Sequence, residues 1–97
     1  MDKMIYYNEL YDYYKKLFTD KQQHYFEEYY FNNYSLSEIA ENEQVTRNAV
    51  SKQLKTITDK LDELEEKLRL REKKQELEKL LPQIENEKII EKIREFL

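Results

Sequence analysis

"SLSEIAENEQVTRNAVSKQL", residues 35–54, is the stretch whose reading decides the fold. Ser35 and Glu38 form an S-x-x-E capping box ahead of Leu36, Ile39 and Ala40, so a short helix is expected to start there and end near Asn42. Thr46 is placed to cap the next helix, with Val45 expected to fill the core between the two. A helix-turn-helix needs a small residue where its helices touch, which Ala40 supplies, and apolar residues on the inner faces, which Ile39, Val45 and Val50 supply. Its tight turn usually holds a left-handed glycine. Gln44 stands there instead, at a cost of roughly 1 kcal/mol if it keeps that conformation. A shifted turn, with Asn42 taking part, is therefore the expectation.

Outward from this stretch, every signal is helical. Tyr7, Tyr11, Tyr14 and Phe18 recur at helical spacing from Met4 to Phe18, and Leu10 and Leu17 widen the stripe. Thr19 and Gln22 form a second capping box, opening a helix from Asp20 to about Asn32 that buries Tyr25 or Phe26, Tyr29 and Tyr30. The two asparagines of "NNYS" tolerate the turn that follows. After Thr46, the residues Val50, Leu54, Ile57, Leu61, Leu64 and Leu68 step by four and three, a heptad seam. This helix is expected to continue towards Leu81, where Pro82 must interrupt it. A last amphipathic helix from about Ile84 presents Ile89, Ile93, Phe96 and Leu97. The expected architecture is an all-α bundle of five or six helices: a helix-turn-helix, a long leucine-rich helix and a C-terminal amphipathic helix. Residues 1–68 form the helix-turn-helix domain with the start of the long helix. Residues 69–97 form an extension, either part of the same compact unit or a dimerisation element.

Composition narrows the chemistry. With no cysteine, neither a disulfide framework nor a thiolate metal site can form. With no glycine, no glycine-rich phosphate loop can form. No apolar run is long enough to span a membrane. The N-terminal "MDKMIYYNELYDYY" lacks the apolar centre of a secretory signal, so a cytoplasmic location is expected. His24, the sole histidine, reads as a solvated or edge side chain, and no metal site or cofactor is expected. Glu27, Glu28, Glu63, Glu65 and Glu66 lack a nucleophile or apolar cleft, so no catalytic residue is assigned and an enzyme is not expected. The nine tyrosines could stack on bases, but their helical period points to core packing.

The longer run "LFTDKQQHYFEEYYFNNYSLSEIAENEQVTRNAVSKQLKTITDKLDELEEKL" resembles the YlxM family of small bacterial proteins. The matching features are L-x-T-x-K-Q at Leu17–Gln22, the tyrosine pair, S-L-x-E-I-A, and V-[ST]-R-x-A-V followed by a leucine-rich helix. "SLSEIAENEQVTRNAV" is also similar to region four of bacterial sigma factors, whose fold the YlxM family resembles. The likeness covers about Tyr14 to Leu68. Glu43 and Gln44 depart from it, because the family usually has an aromatic residue and glycine there. The resemblance implies a regulatory protein associated with the signal recognition particle pathway, with particle RNA or particle proteins as partners. Alignment with the sigma-type motif places Thr46, Arg47, Asn48, Ser51, Lys52 and Lys55 towards nucleic acid. Arginine and asparagine suit base edges, while lysine and serine suit phosphates.

Charge divides the possibilities. The chain carries a net charge of −4, which opposes phosphate binding, yet Arg47, Lys52, Lys55 and Lys60 accompany a single acid, Asp59. Two readings follow: a reader of DNA or structured RNA, or a protein-docking adaptor that no longer touches nucleic acid. Leu54, Ile57, Leu61, Leu64 and Leu68 either pack within one chain or form the seam of a homodimer, which is the expected assembly.

Overall fold

The computed structural model describes residues 2–97. Among these the chain forms six α-helices and no strand: α1 (Lys3–Tyr14), α2 (Asp20–Tyr30), α3 (Leu36–Glu43), α4 (Arg47–Leu68), α5 (Leu70–Leu80) and α6 (Glu87–Arg94). The all-α helix-turn-helix expectation holds. α4 is the spine, and α1, α2 and α3 all pack on it.

α1 stops earlier than its tyrosine stripe suggested. Residues Lys15–Leu17 tighten into a 3-10 turn, and Phe18 becomes extended. The Gln23 side-chain amide donates to the carbonyls of Lys15 and Phe18, both at 3.1 Å, satisfying groups that the ended helix leaves open. Phe18 thereby reaches the core, while Leu17 is turned out to solvent, contrary to expectation. Thr19 and Gln22 then form the anticipated capping box of α2.

The core collects Leu10, Tyr11, Tyr14, Phe18, Tyr25, Phe26, Ile39, Ala40, Val50, Leu54, Ile57 and Leu61. Both Tyr25 and Phe26 are buried, and Tyr29 and Tyr30 are half-buried. Phe26 lies at its centre, stacked on Tyr11 at 4.0 Å and on Tyr30 at 4.3 Å between ring centroids. Burying tyrosine requires a partner for its hydroxyl. Tyr7 donates to Asp62 (2.9 Å), Tyr11 to Glu27 (2.7 Å) and Tyr14 to Glu65 (2.7 Å). Burial first, and then the hydrogen bond to Glu65, push the Tyr14 phenol up to about 12. Glu27 and Glu65 thus serve as structural acceptors.

Two expectations about α4 need correction. Leu54, Ile57 and Leu61 are buried inside this single chain, and Leu64 packs against the same core. They cannot face a second copy without unpacking α1 and α2. Only Leu68, 43% exposed, lies open. The heptad partner is this chain's own helices.

α4 also does not run on to Leu81. Arg69 adopts a left-handed conformation (φ 54°, ψ 35°) and separates α4 from α5. The free N–H groups of the new helix are met from a distance. Leu70 N–H donates to the Tyr14 hydroxyl, and those of Arg71 and Glu72 donate to the Glu65 carboxylate, each at 3.1 Å. Arg71, drawn back over α1, is held by Glu9. Pro82 then lies in a second 3-10 turn (Leu81–Gln83), so α6 starts at Glu87, capped by Asn86, rather than near Ile84. α5 and α6 contribute no buried residue. The molecule measures 55 × 25 × 24 Å, longer than a compact chain of this length.

Candidate nucleic-acid interface

The turn between α3 and α4 positions the interface. Gln44 is left-handed (φ 57°, ψ 44°), so the motif keeps its standard turn without glycine, and no shift towards Asn42 occurs. Asn42 stays within α3. The Gln44 N–H donates to Glu41 (3.3 Å), and the Val45 N–H reaches back to Ala40 (3.0 Å). These are the paired bonds of a Schellman ending, which closes the last carbonyls of α3. Val45 is 37% exposed, so it covers the turn rather than filling the core as expected. Gln44→Gly is therefore expected to stabilise the protein by up to about 1 kcal/mol, because relief of left-handed strain outweighs the added freedom of the unfolded chain. Chemical denaturation checks this.

The Thr46 hydroxyl accepts from Ala49 N–H (3.1 Å) and starts α4. That single bond leaves the N–H groups of Arg47 and Asn48 at the helix start for solvent or for an anion. Val50, Leu54 and Ile57 turn into the core, which fixes the opposite face outward. Thr46, Arg47, Asn48, Ser51, Lys52 and Lys55 are all exposed on it. The cap uses one lone pair of the Thr46 hydroxyl to orient α4, while its O–H donor remains on the exposed face.

The four cations expected here are not equivalent. Among the described residues Arg47 and Lys52 form no ion pair. Lys55 is paired with Asp59, at 3.2 and 3.1 Å to its two oxygens. Both side chains are well exposed, and such pairs are worth about 0–1 kcal/mol, so a phosphate can displace Asp59 easily. Lys60 is committed elsewhere: it donates to the Leu17 carbonyl at 3.0 Å and lies 4.9 Å from the Phe18 ring centroid. It closes the α1–α2 connection, and three cations remain for a ligand.

His24 is exposed at the edge of α2, as the sequence indicated, but it is not alone there. Its Nε2 lies 2.6 Å from Glu43 and 3.0 Å from Glu28. The helical spacing of His24 and Glu28 was visible in the sequence; the approach of Glu43 from α3 was not. No helix among the described residues is long and apolar enough to cross a membrane.

A family model described as "Putative helix-turn-helix protein, YlxM / p13 like" (UPF0122) matches residues 1–96, more of the chain than the motifs alone had covered. A UPF0122 protein of Listeria monocytogenes serovar 1/2a is 44% identical over 78 residues, which is 80% of this chain and 71% of that protein. Another, from Caldanaerobacter subterraneus, is 45% identical over 83 residues, covering 86% and 71% of the two chains. A third, from Oceanobacillus iheyensis, is 43% identical over 84 residues, covering 87% and 80%. The chain belongs to the UPF0122 family of YlxM/p13-like helix-turn-helix proteins.

Proposed function

We propose that this protein is a cytoplasmic regulator that binds DNA or structured RNA through the first turns of α4. The supporting observation is the outward face of Arg47, Asn48, Ser51, Lys52 and Lys55, borne on a helix whose other face is locked into the core. Arg47 and Asn48 stand at the helix start, where a recognition helix reaches base edges. Lys52 and Lys55 lie further along, placed for phosphates. The YlxM resemblance directs the proposal towards the signal recognition particle pathway, with particle RNA as the structured-RNA candidate. The work is binding rather than catalysis. Three cations make one copy a weak binder, and a homodimer would double the set; the apolar side chains left open at Leu68, Leu80 and Ile89 offer it a surface.

The test is titration with duplex DNA and with particle RNA at several salt concentrations. Lys52→Ala with Lys55→Ala is expected to weaken binding to all sequences and to flatten the salt dependence on duplex DNA, by about 0.9 for each phosphate no longer neutralised. Arg47→Ala or Asn48→Ala is expected to relax sequence preference, at about 1–3 kcal/mol for each bidentate base pairing removed. Circular dichroism should show all these variants folded. Absence of salt-sensitive binding by the folded wild type, even at low salt, would leave the docking adaptor as the reading.

A further inference from the structure

We infer that His24, Glu28 and Glu43 form a site for one divalent transition-metal ion of the zinc class, joining α2 to the C-terminal end of α3. His24 and Glu28, four residues apart on α2, share one face, the spacing by which a helix offers two ligands to one ion. Glu43, the last residue of α3, brings a third donor from another element. One donor atom from each residue lies within 4.8 Å of the other two.

A second observation separates this cluster from an ordinary surface ion pair. Glu28 is only 7% exposed, and its Oε2 is buried with no hydrogen-bond partner. A carboxylate oxygen taken from water and left unmatched is costly. Its other oxygen faces His24 Nε2, the same nitrogen that faces Glu43. A protonated His24 would bring one positive charge to two carboxylates. A divalent ion brings two, and it uses neutral His24 as a ligand through the Nε2 lone pair.

The dimensions agree. Donors about 2.0–2.2 Å from a tetrahedral zinc lie roughly 3.4 Å from one another. The separations of 2.6 and 3.0 Å therefore need to open by less than about 1 Å. The two carboxylate donors, within 4.8 Å of each other, need to close by at most about 1.4 Å, and both changes are within reach of side-chain rotation. Beside His24 and Glu28 lies an open pocket of about 390 Å³, also lined by Asp20, Gln23, Glu27, Asn32 and Tyr34, which gives an ion a path and leaves room for a water as fourth ligand. Glu43 adjoins the left-handed Gln44, so an ion held there pins the turn that aims α4. The site itself does not depend on what α4 binds.

Because His24 is the chain's sole histidine, its ring resonances report on the site in the unaltered protein. Adding zinc chloride to the full chain is expected to shift them with saturation at one ion per chain and to raise the thermal midpoint, reversed by a chelator. Magnesium chloride should do neither. By calorimetric titration, His24→Ala and Glu43→Gln should each weaken zinc binding more than tenfold. Ring resonances unmoved by zinc, or zinc binding undiminished in folded variants, would overturn the site. A ring that responds to protons alone would show an ion pair only and overturn it equally.

Discussion

Leu61→Ala is expected to lower stability by about 2–5 kcal/mol, and by the same amount at every protein concentration. Leu61 is fully buried on α4, at the level where α1 meets it and Tyr7 and Tyr14 bond to the neighbouring Asp62 and Glu65. Shortening it removes packed methyl groups and leaves a void between helices tied together by those bonds, which limits their collapse. A small domain has only about 5–15 kcal/mol in total, so the loss is a large share. A seam between two chains would behave differently: its unfolding would depend on protein concentration, and the variant would dissociate before it unfolded. Urea denaturation over a wide concentration range distinguishes the two. A midpoint that rises with wild-type concentration and loses that dependence in the variant would return Leu61 to an intermolecular seam.

Glu65→Ala should cost about 2–3 kcal/mol, a large effect for a half-buried residue. Its carboxylate accepts from Tyr14, Arg71 and Glu72, and these donors lose a charged acceptor together. Because two of the three are the first N–H groups of α5, the change should fray that helix. Circular dichroism would then record a drop in helix before global unfolding. The Tyr14 phenol supplies a second readout. Without Glu65 its titration should move down from about 12 towards the ordinary tyrosine value, although burial keeps part of the elevation. Glu65→Gln, which retains an acceptor, should lose less on both measures. An unchanged helix content and an unchanged Tyr14 titration in Glu65→Ala would contradict the capping role.

What could be read in the sequence followed the range of the interactions. Thr19 with Gln22 and Ser35 with Glu38 act over three residues, and both boxes formed as spaced. The heptad rhythm of α4 was equally plain, since it reports that a helix must cover those leucines. It carries no mark of which helix, and the tyrosine-rich faces of α1 and α2 proved to be the cover. The break at Arg69 was hidden for a related reason. Neither glycine nor proline signals it, and its cap comes from Tyr14, far back in the chain. The outward face of α4 was legible because its opposite face is apolar. The diversion of Lys60 to the Leu17 carbonyl and the meeting of His24 with Glu43 both depend on tertiary approach, which no local spacing encodes.

The left-handed Arg69 also divides the chain by durability. Residues up to Leu68 share one core, whereas beyond Arg69 only Leu81, in the turn between α5 and α6, is fully buried. The arm is tied to the head by the caps from Tyr14 and Glu65, by Arg71 and by Lys74 over the Tyr13 ring. Segments fastened in this way open at a small fraction of the free energy needed to unravel the whole. The C-terminal arm can therefore detach and reseat many times within the lifetime of the folded head. Its amide protons would exchange with solvent first, and proteases would find it first. Anything that trims or captures residues beyond Arg69 would leave the face at the start of α4 standing.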